Sequence, residues 1–271
     1  MYKLVAIDLD GTLVTDDKKL TSRTIISLKK ALNKNVKIMI TSARSFYRLE
    51  RYIDELDLRR KNQYTICFNG AMIVENSSNN VLYSKNLDNK EVKEIISLGK
   101  RLNIPIMLYS KNAHIAEQTP DVIKKNKNAK GINLKIEKFN EIDFNREDNY
   151  IYKIVFMDKS ERITKVRKNI PKEIINKYEV TSSVPEYIEF VKKGIKKSEA
   201  IKFIMKECQI QQEEVIAVGD GENDIEMIKF AGIGVAMGNA NNYVKENADY
   251  ITTSNNDDGV SRVIEKFILD K

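Results

Sequence analysis

The chain has one histidine and two cysteines in 271 residues, and its apolar runs are all far shorter than a membrane span. A single histidine excludes a catalytic histidine pair and a histidine-rich metal site. Cys67 and Cys208 each lie inside an apolar segment, which favours buried thiols in a reducing cytoplasm over a disulfide. We therefore expect a cytoplasmic protein with neither a signal peptide nor a transmembrane helix.

The composition is that of a globular protein, with 42% hydrophobic and 31% charged residues. The net charge of +7 could indicate nucleic-acid binding, but the lysines are scattered among acidic residues and no nucleic-acid-binding motif is present. We predict neither a nucleic-acid partner nor a membrane partner, and a positive surplus that attracts anionic substrates. The length allows one large domain or two smaller ones, and the oligomeric state is left open between monomer and homodimer.

Apolar strand segments alternate with helical segments at both ends of the chain, up to about residue 75 and again from Lys197 onward. Such alternation predicts a parallel sheet covered by helices. The middle segment has instead a helix that opens with a capping box at Asp88, then a hairpin and further short strands. It is typical of α+β structure inserted into an α/β domain.

Two carboxylates end the first apolar strand, in "LVAIDLDGT". Because side chains alternate along a strand, Asp8 and Asp10 point the same way while Leu9 points into the core. Gly11-Thr12 permits a sharp turn at the carboxyl end of the strand, the edge where open α/β sheets place ligands. The two carboxylates suit a hard cation such as Mg²⁺, or could divide nucleophilic and acid–base roles. An exposed turn rich in Asp and Gly is the alternative.

A second apolar strand runs into an acid in "VIAVGDGENDIEM". Asp220 ends that strand, and Asn223 and Asp224 open the following helix. Asp224 taken alone could be an acidic residue favoured by the helix dipole. The dipole explains Asp220 poorly, because Asp220 ends the strand instead of capping the helix.

Two further motifs, "ITSAR" and "GIKKSEA", lie between the acidic ones. Ser42 follows an apolar strand, so its hydroxyl and the neighbouring backbone N–H groups would form an anion cradle before a helix. An ordinary helix cap is an equally good interpretation of Ser42 alone. Lys196 and Lys197 start a helix, where positive charge is unfavourable. That placement indicates an anionic partner, with solvated lysines as the alternative.

In this order, "DLDGT", "TSAR", "KKSEA" and "GDGEND" resemble the four motifs of the haloacid dehalogenase-like (HAD) phosphatase superfamily. The segments "FNGAM" and "SNNDDGV" resemble those of the Cof-type subfamily, which has a type IIB cap. The resemblance covers both ends of the chain, and the middle matches only in placement and coarse pattern. It implies a Rossmann-like parallel-sheet core, residues 1–83 and 191–271, with an inserted α+β cap domain, residues 84–190, that selects the substrate.

The resemblance also implies a role for each matching residue. Asp8 would be the nucleophile that becomes an aspartyl-phosphate, and Asp10 the general acid and then the base that activates water. Asp8, the backbone carbonyl of Asp10, and Asp220 would hold Mg²⁺, and Asp224 would support the metal shell. Lys197 would act in catalysis by binding phosphate oxygens. The substrate- and phosphate-binding residues would be Leu9, Thr12, Ser42, Ala43, Arg44, Asn69, Gly70, Lys197 and Asn223.

One motif departs from the family pattern. Cof-type chains usually have Thr-Gly-Arg at the second motif, whereas this chain has Ser42-Ala43-Arg44. Ser42 keeps a hydroxyl and Ala43 keeps an N–H, so we expect function to be retained. Thr41 is the alternative source of the hydroxyl.

These observations predict a Mg²⁺-dependent phosphatase that acts on a small phosphorylated metabolite, with a sugar phosphate as the favoured class. A phosphomutase on the same scaffold, similar to the phosphomannomutases, is the first alternative and would depend on a bisphosphate activator. A phosphoacceptor signalling module is the second. Such modules are shorter, lack an Asp two residues after the phosphoacceptor, and have no inserted domain.

Overall fold

The chain folds as two compact units, of which the computed structural model describes residues 1–125, 132–182 and 184–270. Unit 1 comprises Met1–Arg44, Leu49–Tyr83 and Lys196–Lys271, and unit 2 comprises Ser45–Arg48 and Ser84–Ile195. The chain therefore leaves unit 1 twice, once for a four-residue segment and once for the long middle segment.

Strands and helices alternate in both terminal parts of the chain. In chain order the strands are β1 (Leu4–Asp8), β2 (Lys37–Thr41), β3 (Tyr64–Cys67), β4 (Met72–Glu75), β5 (Val81–Ser84), β6 (Ile106–Tyr109), β7 (His114–Ala116), β8 (Leu134–Ile136), β9 (Lys153–Met157), β10 (Tyr178–Thr181), β11 (Tyr187–Lys192), β12 (Val215–Gly219), β13 (Ile233–Ala236) and β14 (Tyr250–Ile251). The helices are α1 (Ser22–Asn33), α2 (Glu50–Glu55), α3 (Asn89–Arg101), α4 (Asp121–Lys125), α5 (Ser160–Lys168), α6 (Lys172–Lys177), α7 (Lys197–Cys208), α8 (Ile225–Phe230), α9 (Asn242–Lys245) and α10 (Gly259–Ile264). Among the described residues, no helix combines the length and apolar character needed to cross a bilayer.

The sheet at the centre of unit 1 has the strand order β14-β13-β12-β1-β2-β3-β4-β5 among the described residues. The strands from β14 to β3 in this order run parallel, whereas β4 pairs antiparallel with β3. Every residue of β1 is buried, which explains its continuous apolar run. Because β1, β2 and β12 are parallel neighbours, their last residues, Asp8, Thr41 and Gly219, lie at one edge. The predicted α/β fold with a parallel-sheet core is confirmed.

Two features of the first 84 residues differ from the sequence-based interpretation. The segment "SFYRLERYIDEL" reads as one helix, but the structure has a 3₁₀ turn at Phe46–Arg48 and then the short α2. The helix is interrupted because Ser45–Arg48 folds with unit 2 while Leu49 returns to unit 1. Strands β4 and β5 were not predicted, since four-residue strands carry little periodicity.

Unit 2 contains a second sheet, with the order β10-β11-β9-β6-β7-β8. One face is apolar and forms a core with helices α3, α5 and α6. The predicted capping box begins α3: the Asp88 carboxylate accepts the Glu91 N–H at 2.8 Å, and the Glu91 carboxylate accepts the Asp88 N–H at 2.8 Å. The opposite face of the sheet carries polar residues.

Candidate active site

Asp8 and Lys197 form a buried ion pair at the carboxyl end of β1. Lys197 is the first residue of α7, and its Nζ also lies 2.6 Å from Oδ1 of Asp224. The Lys197 side chain is 0% exposed. Its ammonium therefore joins carboxylates from two motifs that are more than 200 residues apart in the chain. These two carboxylates offset the unfavourable position of a lysine at a helix N-terminus.

Asp8, Asp220 and Asp224 form what we call the acid cluster, in which one ligand oxygen from each lies within 4.8 Å of the others. Asp220 accepts a hydrogen bond from the Thr12 hydroxyl at 2.7 Å. Oδ2 of Asp224 accepts the N–H groups of Asp220 at 3.1 Å and Gly221 at 3.0 Å, so Asp224 also orders the loop after β12. Two of these three carboxylates contact the buried ammonium, and the all-oxygen donor set of the acid cluster fits a hard divalent cation such as Mg²⁺.

Burial, and to a smaller extent the repulsion between neighbouring carboxylates, shifts the pKa values of Asp8 and Asp220. Burial raises the pKa of Asp8 well above its ordinary value, and the Asp224 carboxylate adds to this rise while Lys197 opposes it. Burial also raises the pKa of Asp220 to about 6; the Thr12 hydrogen bond opposes the shift and the Asp224 charge adds to it. Burial disfavours the Lys197 ammonium, but the Asp224 and Asp8 charges outweigh burial and raise its pKa.

Asp10 lies outside this cluster and is held by two cations. Arg44 donates to both carboxylate oxygens, with Nε 2.8 Å from Oδ2 and Nη2 2.6 Å from Oδ1. The Lys18 ammonium lies 2.8 Å from Oδ1. Burial alone would raise the pKa of Asp10, but Arg44 and Lys18 together hold it below its ordinary value.

The loop after β2 carries the second motif. The hydroxyl of Ser42 accepts the Arg44 N–H at 3.1 Å, and its carbonyl accepts the Asn69 N–H at 2.9 Å. Thr41 is fully buried, and its hydroxyl lies 3.7 Å from the sulfur of Met227. Of the two candidate hydroxyls, that of Thr41 therefore faces the core.

The "FNG" turn after β3 lies against the start of α7. Asn69 has a left-handed φ of 57°, and its Oδ1 accepts a hydrogen bond from Asn223 Nδ2 at 3.2 Å. Gly70 has a φ of 110°, and a Cβ at this position would lie 2.4 Å from the carbonyl oxygen of Lys196. Only glycine is compatible with both the dihedral angle and the close backbone approach.

The family of the chain follows from this geometry together with its relatives. A family profile described as haloacid dehalogenase-like hydrolase matches residues 5–264. The chain belongs to this family. It is 34% identical to YxeH of Bacillus subtilis, provisionally named a phosphatase, with each chain covered completely. It is 32% identical to the 5-amino-6-(5-phospho-D-ribitylamino)uracil phosphatase YcsE of the same organism, over 98% of this chain and 96% of YcsE.

A solved structure gives the same assignment. The HAD subclass IIB sugar phosphatase BT4131 superposes with a TM-score of 0.77 and 26% identity, covering 98% of each chain. The predicted membership of the HAD superfamily is thereby confirmed, and with it the prediction of a phosphatase, a phosphoric monoester hydrolase.

In this HAD phosphatase the structure brings most of the predicted residues together in unit 1. Thr12, Lys197 and the acid cluster are in direct contact, Asp10 pairs with Arg44, and Asn69 pairs with Asn223. Leu9 is different, because its side chain is fully buried in the core and its carbonyl accepts the N–H groups of two later residues of the loop. Any contact of Leu9 with a substrate would come from its backbone. Ala43 is half-buried in the loop after β2.

Two further residues contact the site without having been predicted. Lys18 pairs with Asp10 from a loop that carries no motif. Asn239 donates from Nδ2 to the carbonyl of Gly11 at 2.8 Å and lies 3.5 Å from Oδ2 of Asp220. A signal for Asn239 was available: "GNAN" follows the apolar strand β13, in the same way as Asn69-Gly70 follows β3.

Proposed function

We propose that this HAD phosphatase hydrolyses the phosphate monoester of a sugar or a related polyhydroxylated metabolite, using Mg²⁺ and an aspartyl-phosphate on Asp8. The main support is the buried ammonium of Lys197 between Asp8 and Asp224. A carboxylate nucleophile and a phosphate dianion repel one another, and such an attack needs positive charge that is already in place.

Mg²⁺ would be held by Asp8, Asp220 and the backbone carbonyl of Asp10, with Asp224 supporting the shell. When bound, it would neutralise the negative charge shared by the nucleophile and the phosphate. The hydrogen bond from Thr12 and the N–H groups bound to Asp224 would keep the two aspartates of the loop after β12 in position.

In the first step, a carboxylate oxygen of Asp8 attacks phosphorus and the bond from phosphorus to the leaving oxygen breaks. Asp10 transfers its proton to that oxygen, which leaves as an alcohol. Arg44 and Lys18 favour ionised Asp10 in the free protein. Arg44 is therefore expected to exchange the Asp10 carboxylate for the substrate phosphate, which lets Asp10 take up the proton that it donates.

In the second step, water attacks the phosphorus of the aspartyl-phosphate. Asp10, now a carboxylate, accepts a proton from that water, and the bond between phosphorus and the Asp8 oxygen breaks to release phosphate. Ser42, the Ala43 N–H, Arg44 and Lys197 would bind the phosphate oxygens in both steps. Asn69, Gly70 and Asn223 would bind the substrate.

The substrate class rests on two relatives and on the middle segment. BT4131 is named a sugar phosphatase, and the substrate in the name of YcsE contains a phosphorylated ribityl chain. Both names describe a phosphate on a chain or ring rich in hydroxyl groups. We propose residues 1–83 and 191–271 as the catalytic core and residues 84–190 as a cap that selects this organic part.

The test is hydrolysis of sugar phosphates, alditol phosphates, nucleotides and an aryl phosphate, each with Mg²⁺ and again with chelator. We expect turnover of sugar or alditol phosphates, loss of all activity in chelator, and its return with Mg²⁺. Full activity in chelator would contradict the Mg²⁺ assignment. A hexose bisphosphate activator is included because turnover that requires it would indicate the phosphomutase alternative.

A further inference from the structure

Both cations that hold Asp10 contact a single buried tyrosine, Tyr52 of α2. The guanidinium of Arg44 lies 6.0 Å from the centre of the Tyr52 ring. The Tyr52 hydroxyl donates to the backbone carbonyl of Lys18 at 3.1 Å. All four residues belong to unit 1, and Tyr52 is only 1% exposed. A buried tyrosine usually has a partner for its hydroxyl, and this partner is the loop that carries Lys18.

Arg51, the neighbour of Tyr52 in α2, binds the same carbonyl. Its Nη2 donates to the Lys18 oxygen at 2.9 Å and also contacts the Tyr52 hydroxyl. Its guanidinium lies 4.3 Å from the centre of the Tyr52 ring. Because a carbonyl oxygen has two lone pairs, it can accept both hydrogen bonds at once. Two consecutive residues of α2 therefore hold one peptide group of the loop between β1 and α1, and we call Arg51 and Tyr52 the α2 clamp.

The backbone of Lys18 has a conformation that needs support. Its φ is 61°, in the left-handed region that residues other than glycine seldom adopt. Within the loop, the Lys18 N–H donates to the Thr15 carbonyl at 2.8 Å, and the Thr15 N–H donates to the Lys19 carbonyl at 3.0 Å. These two bonds close the turn, but neither involves the Lys18 carbonyl. The α2 clamp supplies the donors for that carbonyl and so fixes the orientation of the turn.

The orientation of this turn decides where the Lys18 ammonium lies. Its Nζ is 2.8 Å from Oδ1 of Asp10, and the Lys18 side chain is partly exposed. An exposed lysine holds a carboxylate weakly, because ordering its long side chain costs entropy. In the proposed first step, Arg44 leaves Asp10 for the phosphate. Lys18 then remains on Oδ1, and Oδ2, which Arg44 releases, becomes available to carry the proton.

We propose that Arg51 and Tyr52 are positioning residues for proton transfer from Asp10, and that they act through Lys18. This inference rests on the proposed function, because it concerns the orientation of the same general acid. It assigns to the α2 clamp no contact with the substrate. The clamp fixes the turn, the turn places the ammonium, and the ammonium orients the carboxyl group.

The test compares two leaving groups. The leaving oxygen of an alkyl phosphate needs a proton, whereas that of an aryl phosphate hardly does. We measure kcat/KM with Mg²⁺ for 4-nitrophenyl phosphate and for the alkyl phosphate that the wild-type protein hydrolyses fastest, whether a sugar, alditol or nucleotide phosphate. The acid ratio is kcat/KM for the alkyl phosphate divided by kcat/KM for the aryl phosphate. Asp10→Asn gives the acid ratio of a protein without the acid.

Tyr52→Phe keeps the ring beside Arg44 and removes only the hydroxyl. We expect the acid ratio to fall about 3- to 10-fold, with kcat/KM for the aryl phosphate changed less than about twofold, as one hydrogen bond is lost. Arg51→Met, at an exposed position of α2, should lower the acid ratio similarly, and it provides the test if Tyr52→Phe does not fold. Tyr64→Phe is the matched control, because it removes the hydroxyl of another buried tyrosine of unit 1, at the start of β3 and 3.4 Å from Oδ1 of Asn62. It should leave the acid ratio unchanged.

Action through Lys18 is tested by combining substitutions. When Lys18→Met is already present, Tyr52→Phe should lower the acid ratio less than about 1.5-fold, because the ammonium that the clamp places is gone. Equal falls with and without Lys18→Met would overturn the proposal, as would equal losses of kcat/KM for both substrates in Tyr52→Phe.

The outcome for Asp10→Asn separates a failure of this inference from a failure of the proposed function. If Asp10→Asn lowers the acid ratio and neither clamp variant does, the role of Asp10 stands and the α2 clamp has no part in it. If Asp10→Asn leaves the acid ratio unchanged, the proposed acid is wrong and the inference falls with it.

Discussion

Arg44 and Asp10 form a two-point ion pair, in which Nε and Nη2 contact different carboxylate oxygens at 2.8 and 2.6 Å. Such pairing orients a carboxylate as well as neutralising it, and lysine cannot reproduce it. We expect Arg44→Lys to lower kcat/KM for a sugar phosphate about 10- to 100-fold, as measured by steady-state phosphate release. Lys18→Met should cost less, because one contact to a half-exposed ammonium is weaker.

The chain offers a matched control for this substitution. Arg23 makes the same two-point contact with Glu265, with Nε and Nη2 at 3.1 and 2.6 Å, on the outside of unit 1. Arg23→Lys should leave hydrolysis unchanged. Equal losses in Arg44→Lys and Arg23→Lys would show a general effect on folding and contradict a specific role for Arg44.

The roles proposed for Asp8 and Asp10 are separated by trapping the phosphorylated protein. Asp8→Asn should form no phosphoprotein from any substrate. Asp10→Asn should accumulate it from an aryl phosphate, whose leaving group needs little protonation, and almost none from a sugar phosphate. Hydrolysis of the aspartyl-phosphate needs the base, whose help is typically worth about 10²- to 10⁴-fold. Intact-protein mass spectrometry after acid quench measures both species. Sugar phosphate turnover by Asp10→Asn at the wild-type rate would exclude the two-carboxylate mechanism.

Asn239 is expected to position the acid cluster through its contacts with Gly11 and Asp220. Asn239→Ala should weaken Mg²⁺ binding about 10-fold, because residues that orient metal ligands typically contribute 10- to 100-fold to affinity. Titration calorimetry with MgCl₂ measures this affinity directly.

Asn241→Ala is the control, two residues further along the chain. Oδ1 of Asn241 accepts the Val244 N–H at 2.9 Å, so this substitution removes only the N-terminal cap of α9. It should lower stability by about 1 kcal/mol without changing Mg²⁺ affinity. Equal Mg²⁺ affinities in the two variants would contradict a positioning role for Asn239.

The buried His114 predicts a dependence of stability on pH. Its pKa is about 3 in the folded protein, against an ordinary value of 6.5. Below pH 6.5 the unfolded chain binds a proton at His114 that the folded chain does not. The contribution of neutral His114 to the free energy of unfolding is therefore fully present above pH 6.5 and is lost as the pH falls towards 3. At pH 5 the loss is about 2 kcal/mol. Urea unfolding measures the free energy of unfolding of the wild-type protein and of His114→Phe at pH 7 and at pH 5. Between pH 7 and pH 5 the wild-type value should fall by about 2 kcal/mol relative to that of the variant. Parallel changes in both proteins would contradict the assignment.

The sequence was most informative where burial is uniform and the chemistry is local. The strands β1, β2 and β12 are covered on both faces, so their apolar runs are visible without knowledge of their neighbours. Asp8, which ends β1, and Asp220, which directly follows β12, stand out against those apolar runs. Asp8 and Asp220 could therefore be assigned to one sheet edge, since parallel strands bring their carboxyl ends together.

The tertiary structure decided which side chains meet at that edge. Asn239 reaches Gly11 only because β13 lies beside β12, which in turn lies beside β1. Lys18 reaches Asp10 from a loop whose path depends on packing rather than on local propensity. Such contacts join residues that are distant in sequence or lie in irregular loops, and neither case leaves a periodic signal.

His114 shows the same limit in unit 2. From the sequence, a single histidine could only exclude sites that need two. Its burial, its neutrality and its position beside Tyr109 and Lys153 arise from the pairing of β6 with β7 and β9. Composition and local pattern determined the class of fold and the strand-end acids, because backbone geometry and hydrophobic burial act over a few residues. Strand order and register decided the environment of each charged group, because electrostatic and hydrogen-bonding partners are supplied by whichever strands become neighbours.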